Sequence, residues 1–530
     1  MTIYVVICAV LISLLKLLFL SSYRSTDFEV HRNWLAITNN PSHHKWYYEN
    51  TSEWTLDYPP FFAWFEWSLS QAAKYFDEQM LVITNLKYDS DATILFQKLS
   101  VIFADFLLIY ATYRCSTVLP TSKEHSGKTL QAKYEPKILS ILIIFNAGLL
   151  LVDHIHFQYN GFLTGMLFLS MYNILDGNIL WGSFWFATLL NFKHIYLYMA
   201  PAYGIYLFRI YCMDPKKRGI SSILSFHPLR LLQLAATVIL VFSASFVPFK
   251  DHLPQVISRL FPFKRGLTHA YWAPNFWALY IFLDKILSIA GVKFKFIHLS
   301  QLKATSFSKG LVEEAEHAIL PSPTPLITVI ITLVFIMPCL IDLWFWPKAL
   351  TSKHLGNQFI RSVVFTSLTS FMFGWHVHEK AILMAILPLT LLSVCGTKKD
   401  AEIFVFLQAV GHYSLFPLLF MPFETVTKIS IVVIYTMLSF ELLHKLKQSN
   451  LKDKSKWCLP LLGRFETLYI FGLVINEVYC SALHRFMPFS EKFEFVPLMM
   501  TSTFCAVGVT WSWIKLGYSI FVDRSGYPIE

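Results

Sequence analysis

Apolar runs long enough to cross a bilayer recur along nearly the whole chain, and nothing constrains its fold more. They fall near residues 3–20, 98–113, 138–152, 161–175, 180–191, 195–210, 231–248, 326–345, 360–375, 381–396, 402–420, 427–443, 466–484 and 496–515. At about 20 residues per crossing this gives about fourteen spans, some short or tilted, and 275–290 is a further stretch that could dip into the membrane. Of the 530 residues, 55% are hydrophobic and 15% charged, more apolar surface than a water-soluble fold can bury. The expectation is an all-α polytopic membrane protein, a single transmembrane domain over residues 1–530. The run 3–20 reads as a retained span: no basic segment precedes it, Lys16 interrupts it, and the small-residue cleavage pattern is poor.

The net charge of +10 does not point to nucleic acid, because the bases lie in short loops between apolar runs. Loops 114–137, 209–230 and 445–464 carry net +3, +4 and +5, whereas loop 21–97 has five bases against ten acids. Alternating these through fourteen spans puts the three basic loops on one side and 21–97 on the other. Both termini are then cytosolic and 21–97 is luminal. Loop 249–325, luminal by the same count, holds nine bases against five acids, a surplus that needs another reason. The eight cysteines are scattered and form no CxxC, so neither a disulfide framework nor a zinc site is expected.

Loop 21–97 begins just outside the first run, where a carboxylate sits at the water–lipid boundary. Thr26-x-x-Glu29 spells a capping box with Asp27 in the first turn. Asp57, ahead of Tyr58-Pro59-Pro60, is placed to open a second helix. The aromatic stretch Phe61–Trp67 suits a helix lying on the membrane. Either aspartate could simply cap its helix, and a helix N-terminus also keeps a carboxylate ionised. Asn50-Thr51-Ser52 is an N-glycosylation sequon on the same side.

Ionisable groups at span ends mark function in a membrane protein. Under this topology they gather on one side: Asp153-His154-Ile155-His156-Phe157-Gln158-Tyr159-Asn160 in the turn after the third span, Asn191-Phe192-Lys193-His194 in the next luminal turn, His376-Val377-His378-Glu379-Lys380 after the ninth span, and Phe261-Pro262-Phe263-Lys264-Arg265-Gly266-Leu267 in the basic loop. The His-x-His pairs raise a metal site. That spacing suits a strand better than a helix, and Lys or Arg bind phosphate without metal, so none is expected. A multi-span carrier is a second reading, but carriers hold polar groups near the midplane on broken helices in paired repeats. Here the charges sit at one face and no repeat is visible.

Thr26-Asp27-Phe28-Glu29 with Arg32-x-Trp34, Leu56-Asp57-Tyr58-Pro59-Pro60, His154-x-His156-Phe157-Gln158-Tyr159-Asn160, Phe261-Pro262-Phe263-x-Arg265-Gly266-Leu267 and Val377-His378-Glu379-Lys380 occur in order along the chain. In these the chain resembles the GT-C membrane glucosyltransferases of the dolichol-linked oligosaccharide pathway of the endoplasmic reticulum. The segment Thr268–Tyr280, with Gly374-Trp375-His376, resembles the members that act on the monoglucosylated acceptor; the α-1,3-glucosyltransferases acting on the unglucosylated acceptor are the alternative. The resemblance implies a GT-C-type bundle of about fourteen transmembrane helices with luminal loop helices on the membrane, in the reticulum and with a luminal active site. It implies dolichyl phosphate β-glucose as donor, a dolichyl-diphosphate-linked oligosaccharide as acceptor, an α-1,3 product formed with inversion, and no cofactor. Inversion takes one in-line attack and no covalent intermediate. The leaving phosphate needs cations more than an acid, so the chain must chiefly supply a base for the acceptor hydroxyl. The family's catalytic aspartate falls on Asp27, preferred over Asp57 as that base. Lys264 and Arg265 are the leading phosphate ligands, which would explain the basic loop 249–325, with Lys193 and Lys380 as alternatives. Arg32, Asp57, Asp153, His156, Gln158, His378 and Glu379 complete the expected substrate contacts.

Overall fold

The structure is a computed structural model that describes residues 2–118, 129–217, 219–261, 266–268, 272–296, 317–345, 352–447, 458–488, 490–491 and 493–522. Among these residues every named element is helical, as a chain with so few places to satisfy a strand edge in lipid requires. Among the described residues six helices are long and apolar enough to cross a membrane: Asp91–Val118, Tyr134–Phe157, Pro228–Leu260, Pro325–Phe345, Lys398–Leu418 and Glu424–Lys447, with shorter apolar helices at Ile3–Leu17 and Ile179–Phe192. The chain is a multi-pass membrane protein. Several expected runs are broken into short pieces. Within 195–210, for example, a 3-10 stretch His194–Met199 precedes a twelve-residue helix, Ala200–Tyr211.

Two compact units emerge, Met1–Pro262 with Trp344–Phe359, and Phe263–Leu343 with Ile360–Glu530. In the first, α1 is Thr2–Leu17, α2 Thr26–Asn39, α3 Pro60–Ala73, α4 Asp91–Ala104, α5 Phe106–Val118, α6 Thr129–Ile144, α7 Asn160–Leu175, α8 Ile179–Phe192, α9 Ala200–Tyr211, α10 Pro228–Phe246 and α11 Leu253–Leu260. α7 lies between α5 and α8, and α2 packs on α3. A Cβ at Gly165 of α7 would come within 2.8 Å of the Leu108 backbone nitrogen of α5. Only a residue without a side chain allows that approach, the usual way apolar helices gain contact inside a bilayer.

Loop 21–97 packs its aromatic residues against the rest of the first unit. Phe28, Trp34, Trp46, Tyr47, Phe62 and Phe157 are buried in one cluster, with ring pairs such as Trp34–Tyr58 at 4.9 Å and Phe62–Tyr58 at 4.8 Å. α3 buries Phe62, Ala63, Glu66 and Ser70 on one face, while Trp67 stays 39% exposed.

Three local expectations are corrected. The N-cap of α2 is Ser25 and not Thr26: the Ser25 hydroxyl accepts from the Asp27 amide at 3.1 Å. Ser25 wins because its own N–H and hydroxyl both donate to the His156 carbonyl, a tie the local sequence cannot reveal. Glu29 then closes no capping box and pairs with Arg32 instead. The second helix begins at Pro60 with Pro59 as its cap; Asp57 stands two residues too early to cap it. Finally, Asp153–Phe157 is not a turn. It is the end of a π-helix, Leu150–Phe157, and the chain turns only at Gln158.

The second unit contains α12 Phe276–Lys293, α13 Pro325–Phe345, the end of α14 Ser352–Phe373, α15 Leu383–Cys395, α16 Lys398–Tyr413, α17 Glu424–Lys447, α18 Arg464–Val478 and α19 Val496–Val522. α16 is its centre, packed by α15, α17, α18 and α19. At its start Thr397 and Asp400 form a capping box, and the Arg361 guanidinium grips the same Asp400 carboxylate with contacts of 2.6–3.1 Å. Asp400 has no exposed side-chain surface, so removing its partner leaves a buried charge. Arg361→Ala is expected to cost about 3–5 kcal/mol, seen as a lowered melting temperature of the purified protein in detergent. A melt within a degree of the parent would show that the Thr397 cap alone neutralises Asp400.

Candidate active site

The geometry of the first unit is set where the π-helix ends. Phe157 has φ of 89°, a left-handed conformation that an aromatic residue adopts only when its surroundings insist. The surroundings are rings: Phe157 has no exposed surface and meets Phe28 edge-on at 5.2 Å and Tyr159 at 5.8 Å. Gln158 follows in extended conformation, φ −156°. The wide π-turn, a form often found at functional sites, leaves backbone carbonyls unused by the helix. Lys98 of α4 takes two of them, donating to His154 O at 2.7 Å and Ile155 O at 3.3 Å.

This exit brings the expected residues to Asp27. The Gln158 Nε2 donates to Asp27 Oδ2 at 2.6 Å, and His156 Nε2 lies 3.2 Å from the same oxygen. The sense of the Gln158 amide is fixed from behind, because Asn160 Nδ2 donates to Gln158 Oε1 at 2.8 Å. Gln158 can therefore only donate to Asp27, and such donors solvate the carboxylate anion, the form in which a base must begin. Asn160 also donates to Asp153 Oδ1 at 2.9 Å, and the Gly161 amide to Asp153 Oδ2 at 2.6 Å. Lys193 reaches Asn160 Oδ1 at 3.4 Å and stands 5.0 Å from the centre of the Tyr58 ring. The Asp27 side chain keeps 24% of its surface exposed, so it is braced and still reachable.

Behind this array lies a cluster of buried charges. Asp105, at the break between α4 and α5, accepts from Lys16 Nζ of α1 at 2.6 Å and faces His154 Nε2 at 2.7 Å, both on Oδ2. The sequence marked Lys16 only as an interruption of an apolar run, gave Asn160 no role beyond its segment, and left Lys98 and Asp105 unremarked. The available signal was an acid and a base within one apolar span, the pattern that marks internal pairing in a membrane.

Asp57 is half-buried beside Tyr47 and Tyr58. Burial first, and the Asp57 charge second, push both phenols well above their usual range, and Asp27 adds to the effect on Tyr58. Tyr58 therefore feels both carboxylates. Arg32 has no exposed surface. Its guanidinium holds Glu29 at 2.8 and 2.9 Å and the Met80 carbonyl at 3.0 Å, which makes it a brace between α2 and the following loop. Asn50 is exposed.

In the second unit the segment before α15 is pinned to the residues that follow Arg265. His376 donates its amide to Leu267 O at 2.9 Å, its Nδ1 lies 2.8 Å from Gly266 O, and Thr268 and Val377 form a parallel bridge. The two motifs expected to act together are thus adjacent, with His378 and Lys380 half-buried and Glu379 buried. Lys264 and Arg265 lie outside the described residues. Among the described residues no group of three or more His, Cys, Asp or Glu is arranged to hold a metal ion.

A family profile described as the ALG6, ALG8 glycosyltransferase family matches residues 12–516. A Bos taurus protein named dolichyl pyrophosphate Glc1Man9GlcNAc2 alpha-1,3-glucosyltransferase is 50% identical over 516 residues, covering 97% of this chain and 94% of that one. A Mus musculus protein of the same name is 50% identical over 96% of this chain and 94% of its own length. A Drosophila melanogaster protein, named as the probable enzyme, is 44% identical over 93% and 90%.

Gly161 tests the array. A Cβ there would lie 2.0 Å from Asp105 Oδ1 and 3.4 Å from Asp153 Oδ2. Asp105 cannot swing away cheaply, since Lys16 and His154 hold it. Gly161→Ala is expected to destabilise by about 1–3 kcal/mol through overpacking and to displace Asp153 and its Asn160 partner. Thermal melting and turnover should fall together; an unchanged melt would mean that the Asp105 cluster is loosely held.

Proposed function

Because this chain belongs to the ALG6, ALG8 glycosyltransferase family, we propose that it transfers glucose from dolichyl phosphate β-glucose to the terminal glucose of a monoglucosylated dolichol-linked oligosaccharide, forming an α-1,3 linkage. Its place is the endoplasmic reticulum membrane, with about fourteen spans, both termini cytosolic and Asp27 on the luminal side. The observation that carries the acceptor assignment is the 50% identity, over nearly the whole of both chains, to proteins named for that acceptor.

The chemistry follows from the array around Asp27. A β donor giving an α product inverts the anomeric carbon in one displacement. As the bond forms, the acceptor hydroxyl proton passes to Asp27, whose other tasks are taken over by the cap at Ser25 and the donors Gln158 and His156. The bond to dolichyl phosphate breaks with its electron pair moving to the phosphate oxygen, and that charge requires cations at headgroup depth. Lys193 lies in the same unit as Asp27. Arg265 and Lys264 are assigned to the phosphate by resemblance, and Lys380, His378 and Glu379 flank the segment that follows them. Asp153 and Asn160 position Gln158, and Asp57 contributes through Tyr58 or a sugar hydroxyl.

The decisive assay supplies purified protein with dolichyl phosphate glucose and, separately, unglucosylated and monoglucosylated acceptors. Extension of the monoglucosylated acceptor alone is expected; extension of the unglucosylated one would assign the chain to the preceding step. Asp27→Asn keeps the shape but accepts no proton, so transfer should fall by about 10²–10⁴-fold with the fold intact. Near-normal turnover in that variant, with Asp57→Asn inactive, would exchange the two roles. Activity should survive a strong chelator, since the phosphate is met by lysine and arginine; loss in chelator with rescue by manganese would return the His-x-His segments to consideration as ligands.

A further inference from the structure

One buried acid–base pair is unused by the chemistry above. His31 Nδ1 of α2 lies 2.6 Å from Glu66 Oε1 of α3, with the side chains 5% and 0% exposed. The second oxygen, Glu66 Oε2, has no partner, and burial pushes the Glu66 carboxyl above its usual range while His31 pulls it back. The imidazole is walled in by four rings: Trp34 at 5.0 Å, Phe62 at 5.6 Å, Phe157 at 5.5 Å and Tyr159 at 5.1 Å. Such a cage would accept a phenylalanine without loss of packing. Replacing a buried polar pair by apolar groups of similar shape is often neutral or stabilising, so stability does not explain the pair.

Its place explains it better. His31 stands four residues after Asp27, on the same side of α2. The last residues of the π-helix and the two that follow it run along that side. His156 and Gln158 meet Asp27, while Phe157 and Tyr159 meet His31. Rotation or sliding of α2 relative to 156–159 would therefore move both contacts together. Ring packing sets such a position only loosely, since edge-to-face contacts tolerate a range of centroid distances of about 4.5–7 Å. A 2.6 Å hydrogen bond to α3 has one.

We propose that His31 and Glu66 are positioning residues for Asp27: their hydrogen bond fixes the rotation of α2, and so keeps the Asp27 carboxylate in register with Gln158 and His156. The proposal rests on the glucosyl-transfer reading for its kinetic consequences only. A displacement of about 1 Å at a reacting group can cost on the order of 10²-fold in rate.

The test separates position from stability. His31→Phe/Glu66→Leu replaces the pair with apolar groups of similar size. It should melt close to the parent, keep the KM for dolichyl phosphate glucose within about twofold, and lose about 10- to 100-fold in kcat. Recovery of kcat along with the melt would overturn the proposal. Should this double variant fail to fold, His31→Gln/Glu66→Gln decides, because it keeps a directional hydrogen bond without the charge: kcat near the parent supports positioning, and collapse of kcat in a folded protein overturns it. Hydrogen exchange of the peptide Ser25–Val30 gives a readout independent of activity. Faster exchange there in the double apolar variant, with the rest of the unit unchanged, is expected, and unchanged exchange would count against the pair. A parent protein that extends neither acceptor would defeat the glucosyl-transfer reading and leave the exchange result standing.

Discussion

The contact on which the first unit turns is made at one oxygen of Asp27, where the Gln158 amide donates at 2.6 Å and His156 Nε2 lies 3.2 Å away. An irregular helix end delivers both groups there. The π-turn widens the helix, Phe157 reverses the backbone in a left-handed conformation, and the chain leaves extended. His156, in the last turn of the π-helix, and Gln158, just beyond it, both face Asp27. The cap of α2 is fastened to this exit as well, since Ser25 bonds the His156 carbonyl. Asp27, its cap and the exit of the π-helix therefore form one piece, and the strain at Phe157 is sustained by aromatic packing on both sides of it.

Ionisable groups inside a membrane protein are costly, and this unit holds several. Lys16, Asp105, His154 and Lys98 are each at least nine-tenths buried. Breaking any one pair would strand its partner at a cost of several kcal/mol. Their arrangement shows what they accomplish. Lys16 ties the lipid-facing α1 to Asp105, Asp105 meets His154 on the π-helix, and Lys98 satisfies the carbonyls that the wide turn releases. The polar cluster is the means by which an irregular backbone is accommodated at membrane depth, where water cannot serve.

Much of this was legible in the sequence. Apolar runs and loop charge identified a polytopic membrane protein, and the position of Asp27 after the first run singled it out, as did the Asp153–Asn160 segment. The errors have physical causes. Thr26-x-x-Glu29 is a sound capping pattern, but Ser25 is held by a residue 131 positions away, and distant ties overrule local spelling. Two prolines moved the start of α3 past Asp57. Arg32, a reasonable sugar or phosphate contact by type, is consumed by Glu29 and the Met80 carbonyl. A π-helix has no sequence signature to match the periodicity of an α-helix, so Asp153–Phe157 read as a turn. His31 and Glu66 were invisible for a related reason: 35 residues separate them, and only the packing of α2 on α3 brings them together.

The division of roles between Asp27 and Asp57 can be argued from rigidity. Both carboxylates add to the upward push on the Tyr58 phenol, and composition alone treats them alike. Asp57 lies in a loop just ahead of Pro59 and Pro60, with Tyr47 and Tyr58 as neighbours. Asp27 lies on a capped helix, its carboxylate addressed by an amide whose sense is fixed by Asn160, which in turn is fixed by Asp153. A proton acceptor must be held to within about half an ångström of its working position, and regular elements with a locked supporting layer achieve that better than loops. Every layer of that support converges on Asp27.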